Sequence, residues 1–273
     1  MCRSIGLLSI LFTFLMLAGC DFSKSKSTPD QESFTDSVVN DEDSVTDIVV
    51  SSAVDELFSD FIFNFAVNKK FQIERINFPL RVIKDGKTST TERKDWKMDY
   101  LFMTEDFYTI ITDNEEQINL ASDTLVSKAR IDKIDFTKKM VSQYNFSRED
   151  KWELISIEEL QLDKTSNGSF LEFYSKFAKD ATYQASHLEN QVKFSAPDPD
   201  NEFEQITGYI NPDTWGAFAL DLPNEVIYNF VYAMPKDGSN KKVLYLRGIA
   251  NGMEQDYTFV RRNNNWRLAK MNQ

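Results

Sequence analysis

The chain repeats itself. A shift of 112 residues lays Phe58, Phe61, Phe65, Ala66 and Gln72 on Phe170, Phe173, Phe177, Ala178 and Gln184, five identities within 15 positions. Phe71 falls on Tyr183 and Asp60 on Glu172. Further along, Tyr144, Phe146 and Arg148 meet Tyr257, Phe259 and Arg261 at a shift of 113. Trp152 and Leu154 then meet Trp266 and Leu268 at 114. Order is kept while the shift drifts, as a tandem duplication with loop insertions produces. The middles align less well; there Phe107 is set against Trp215. The fold must therefore be one unit built twice, over residues 55–162 and 163–273.

Each unit opens on a helix. Val54, Phe58, Phe61, Ile62, Phe65 and Ala66 recur at helical spacing and make a wide apolar stripe, as do Phe170, Phe173, Tyr174, Phe177 and Ala178. Rows of Phe at this spacing belong to a core packed on a sheet. Ser169 with Glu172, and Ser52 with Asp55, have the spacing of helix-capping pairs. Strand patterns follow at 75–83, then at 126–134, 140–148 and 152–157 in the first unit. The second unit closes on the same trio at 243–250, 255–262 and 266–271, with Asn251-Gly252 as a hairpin signal. The expected class is α+β: in each unit an N-terminal helix buries its stripe on a curved antiparallel sheet.

Residues 1–19 carry one charge, Arg3, and an apolar run from Ile5 to Ala18. That run is short for a bilayer span and has the form of a signal peptide. It ends in Leu17-Ala18-Gly19-Cys20, which resembles the lipobox of bacterial lipoproteins. The resemblance implies cleavage before Cys20, lipidation of its thiol and a lipid-anchored place in the bacterial cell envelope, facing the periplasm, with the leaflet left open. Two or more acyl chains make a stable anchor where one does not. Residues 20–54 then read as the lipidated Cys and a disordered acidic linker, net −6 over 21–54 and rich in Ser and Thr. Cys2 leaves with the signal, so no disulfide holds the mature fold.

Composition removes several kinds of chemistry. With 43 acidic and 31 basic residues, and a net charge of −12, nucleic acid is not an expected partner. One His and two Cys leave no material for the usual zinc sites or His-based triads. No metal, cofactor or catalytic residue is assigned. Six residues are candidate pocket or surface contacts: Arg75, Trp96, Arg148, His187, Trp215 and Arg261. Arg148 and Arg261 recur on the closing hairpins, where they could bind an anion or pair with an acid on the next strand. His187 and Arg75 hold equivalent places three residues after the repeated Gln, which implies a polar contact or a solvated strand edge. Gln72 and Gln184 are placed to bond carbonyls freed at the helix end. Trp96 and Trp215 are core residues or stacking platforms.

The Phe-rich helix ending in Phe/Tyr-Gln, with a last hairpin of Tyr-x-Phe-x-Arg, polar turn and Trp-x-Leu, resembles the nuclear-transport-factor-two-like (cystatin-like) cone. In this chain those stretches are FSDFIFNFAVNKKFQ with YNFSREDKWEL, and FLEFYSKFAKDATYQ with YTFVRRNNNWRL. The chain is also similar to a family of bacterial lipoproteins with a domain of unknown function made of two such units. The resemblance implies a pocket in each cone and possible pairing of the two cones as an intrachain pseudo-dimer; it implies no activity. The expected role is non-catalytic binding of a small apolar ligand or an envelope protein. Alternatives are a structural or assembly module whose cones are filled by their own side chains, and a carboxylate/Tyr isomerase- or hydrolase-type enzyme.

Overall fold

The computed structural model describes residues 54–236 and 238–273. The stretches expected to be a signal peptide and an acidic linker, with Cys20 and Ser52, lie outside them up to residue 53. The first half carries helices α1 (Phe58–Val67) and α2 (Lys69–Glu74), then strands β1 (Ile76–Lys84), β2 (Lys87–Thr91), β3 (Phe107–Thr112), β4 (Lys128–Asp135), β5 (Met140–Arg148) and β6 (Trp152–Gln161). The second half gives the same order: α3 (Gly168–Phe177), α4 (Ala181–Ser186), β7 (Leu188–Asp198), β8 (Asn201–Ile210), β9 (Val226–Val231), β10 (Lys241–Gly248), β11 (Glu254–Arg262) and β12 (Asn265–Asn272).

All twelve strands join one sheet, ordered β2-β1-β6-β5-β4-β9-β3-β10-β11-β12-β7-β8. Its centre is an exchange. Strand β9 of the second half pairs with β4 of the first, and β3 of the first pairs with β10 of the second. The two exchanged strands meet in parallel at Thr109 and Asn229. Register shifts at Asn145/Phe146 in β5–β6 and Thr258/Phe259 in β11–β12 bend the sheet at matching places.

Alternation along the central strands fixes where the helices sit. On β4, Ala129 and Ile131 join the core around α1, whereas Ile134 joins the core around α3. On β9, Tyr228 and Phe230 go with α1 and Ile227 with α3. The helices therefore cover opposite faces, and the middle strands are buried on both. That burial explains why β3 and β9 are nearly continuous apolar runs without clean alternation.

The repeated Phe rows are core, as expected. The Phe58 ring lies 5.0 Å from Trp152 and Phe65 lies 5.4 Å from Phe146. Phe170 lies 5.4 Å from Trp266 and Phe177 lies 5.3 Å from Phe259 in the other half. Phe177 is fully buried, so Phe177→Ala removes a large ring and leaves a void. It is expected to cost about 3–5 kcal/mol, read as a lower urea midpoint.

The capping pair expected at the start of α3 is not formed. The N-cap is Asn167 and makes no side-chain cap bond. Ser169 instead accepts from the Trp266 indole N–H at 3.1 Å, because Trp266 has packed against the helix start.

Candidate functional site

Gln72 and Gln184 organise the end of each helical layer. The Gln184 amide nitrogen donates to the Phe177 carbonyl at 3.0 Å and the Leu220 carbonyl at 2.9 Å. Its oxygen accepts from Trp215 Nε1 at 3.1 Å and from the Leu220 N–H at 2.9 Å. Gln72 does the same with Phe65 O, Asp99 O, Trp96 Nε1 and Asp99 N, at 2.8–3.0 Å. The carbonyl-bonding role read from sequence is correct and only half of the job. The pairing of Phe107 with Trp215 is wrong: Trp96 holds the place of Trp215, because each indole N–H is taken by the equivalent Gln. Trp215 is buried and Trp96 half-buried, and their indole N–H groups are already used, so neither is an open stacking platform.

Arg75 is not a surface contact. It is buried, with a bidentate bond to Asp55 at 2.7 and 2.8 Å, and its guanidinium lies 4.7 Å from the Phe71 ring centre. Among the described residues Arg148 pairs with no acid on a neighbouring strand; its donors go to backbone carbonyls. It donates to the carbonyls of Asp55, Glu56 and Thr124 and lies over Trp152. Arg261 donates to Asn240 Oδ1, Gly238 O and Ser169 Oγ and lies over Trp266. Both arginines lie on strands that end beside the helix start, so backbone carbonyls reach them first.

In the first half, the mouth between helix and sheet is polar. Tyr144 donates to Asp99 Oδ2 at 2.8 Å, and Asp99 Oδ1 accepts from the Leu101 N–H at 2.9 Å. Burial, then the Asp99 charge, pushes the Tyr144 hydroxyl well above its usual range. Lys133 stands nearby; burial lowers its pKa, but the Tyr228 hydroxyl and the Asp99 and Asp135 charges outweigh that and raise it. The strand registers place Leu220, Tyr257 and Leu246 where the first half has Asp99, Tyr144 and Lys133. The polar group therefore belongs to one half only.

A concavity lies outside both cores. It is a groove of about 860 Å³ with walls from both halves. One wall is the exposed side of α3 with Glu172, Ser175 and Lys176; another is the Tyr183–His187 stack, with ring centres 3.9 Å apart. The β11–β12 turn supplies Arg261, Asn264 and Trp266, and the β4–β5 turn supplies Phe136, Lys138 and Lys139. His187 Nδ1 lies 2.9 Å from both the Tyr183 carbonyl and the Ser186 hydroxyl, which leaves Nε2 uncommitted among the described residues. Of the six sequence candidates the groove brings together His187 and Arg261. Nothing in the sequence marks Lys139 or Lys176, which come to line one groove only once the halves are joined.

A second groove, of about 470 Å³, lies on the sheet face away from α3. Tyr245, Arg247, Asp256 and Lys270 line it. Among the described residues no three His, Cys, Asp or Glu side chains gather as a metal site, and no helix is long and apolar enough to cross a membrane.

A large curved sheet with helices against it, closed by Trp-bearing hairpins, places the chain in the NTF2-like α+β class. A crystal structure of an NTF2-like protein from Bacteroides fragilis is similar to it, with 33% sequence identity and a TM-score of 0.73 over 80% of this chain and 96% of that one. The chain belongs to the family described as a domain of unknown function, DUF4348, whose sequence profile matches residues 37–273. No curated protein matches it.

Proposed function

We propose that this protein is a lipid-anchored lipoprotein of the bacterial cell envelope, held at Cys20, whose two tandem cone units form a non-catalytic binding module. The observation that carries the binding reading is where space is found. The interior under each helix is filled by Phe and Trp rings, whereas the 860 Å³ groove lies outside, between the halves. A partner held in the groove therefore fits better than a small apolar ligand inside a cone. The Asp99–Tyr144 pair is read as structural, since both carboxylate oxygens are already bonded.

The anchor and the groove are tested separately. Cys20→Ser is expected to move the protein from the membrane to the soluble fraction; unchanged membrane association would refute the anchor. For the groove, full-length protein is extracted in mild detergent from its own envelope and weighed by native mass spectrometry. Wild type is expected to carry added mass that Ser175→Trp, which projects a bulky ring into the groove, loses. Equal added mass above each polypeptide, or none on wild type, would overturn the binding reading.

A further inference from the structure

We infer that the groove between the halves binds an anionic ligand, bearing carboxylate or phosphate groups on an extended body; this rests on the groove being the binding site. Its volume lies within the roughly 300–1,000 Å³ of small-molecule sites. Its charge runs against the composition of the chain. In a protein of net −12, the groove gathers Lys138, Lys139, Lys176 and Arg261 against Asp163 and Glu172. Lys138 is paired with Asp135 at 2.9 Å, and Asp163 with Lys164 at 3.3 Å. Among the described residues Lys139 and Lys176 have no carboxylate partner, and both are exposed. They line the same groove from different halves, one on a turn and one on a helix, so an extended anionic ligand lying along it has a cation on each wall. The aromatic edges of Phe173, Tyr183 and Trp266 supply apolar contact beside the charges.

The comparison with the first half strengthens this. The positions equivalent to Glu172, Lys176 and Ser169 are Asp60, Asn64 and Leu57. The equivalent of His187 is Arg75, whose charge Asp55 already neutralises. The same helix face in the first half thus lacks the available cation. The basic groove is a departure of one half from the shared plan, assembled with the other half's β4–β5 turn.

The test uses the full-length lipoprotein in detergent and a fluorescein-labelled hexaglutamate peptide, read by anisotropy at low salt. Saturable binding is expected, weakening as salt is raised. Lys139→Glu/Lys176→Glu should weaken it at least tenfold. Lys193→Glu/Lys270→Glu changes net charge equally at the smaller groove and should bind like wild type. Displacement by citrate or by pyrophosphate supports the proposal and tells carboxylate from phosphate chemistry. Equal loss in both double variants would show a field of the whole protein and overturn the site. Hexalysine binding better than hexaglutamate, with Ser175→Trp abolishing it, would overturn the anionic class and leave the groove standing. No peptide binding, together with no retained mass from the envelope, would sink both.

Discussion

Gln184→Leu is expected to lower the free energy of unfolding by about 3–5 kcal/mol. The side chain is nearly fully buried, and every one of its hydrogen-bonding positions is used. Leucine is of similar size, so little packing is lost. What remains is the Phe177 carbonyl, both backbone groups of Leu220 and the Trp215 indole N–H, all left without partners where water has no access. Each such group costs about 1–3 kcal/mol, partly relieved by local relaxation. Gln72→Leu should cost less, about 2–4 kcal/mol, because Trp96 is only half-buried and water can replace the lost bonds. Gln184→Glu adds a sign test. At pH 7 a carboxylate would face two carbonyl oxygens, so its folded-state pKa is raised above the unfolded value. Its destabilisation should shrink as pH falls toward 5, when a protonated oxygen can donate again. Urea titration followed by Trp fluorescence measures all three. A cost below about 1 kcal/mol for Gln184→Leu would mean the four bonds do not hold the helical layer to the segment before β9.

This Gln also shows what was legible in the sequence. Its recurrence was visible, and so was its place at a helix end, because helix ends have carbonyls to satisfy. Its second partner was not, since Trp96 and Trp215 lie 24 and 31 residues away across segments of different length. The Phe stripes, the closing hairpins and their Trp residues were legible because each depends on local periodicity. The exchange of β3 and β9 was not. Short apolar runs buried on both faces lose the alternation that announces a strand, and their partners lie in the other half. The groove was hidden for the same reason: His187 and Arg261 could be named as unusual polar residues, but Lys139 and Lys176 line one groove only through the joined sheet. Arg75 was misplaced because its partner, Asp55, was read as part of a helix cap.

Asp55→Ala is expected to cost about 3–5 kcal/mol, because it strands a buried guanidinium. Arg75 gives two hydrogen bonds to this carboxylate, which also accepts the Trp152 N–H at 2.9 Å. Removing the acid leaves an unpaired charge and an unpaired backbone donor in the same buried place. The other half shows that the fold does not need the ion pair. At the positions equivalent to Asp55 and Arg75 it carries Asn167 and His187, a combination without a carboxylate in which the imidazole stacks on Tyr183 as Arg75 stacks on Phe71. The double variant Asp55→Asn/Arg75→His transplants that combination. In the second half the Asn167 oxygen is buried without a partner among the described residues, whereas an Asn at 55 keeps the Trp152 N–H within reach; with no carboxylate–guanidinium pair left to desolvate, the cost should fall to about 1–2 kcal/mol. Single and double variants, compared by urea denaturation, therefore separate two accounts of the pair. If the double variant is as unstable as Asp55→Ala, the ionic bond itself is what the first half requires. If it is more stable, as expected, the damage in the single variant is the uncompensated charge, and the halves are two solutions to one packing problem.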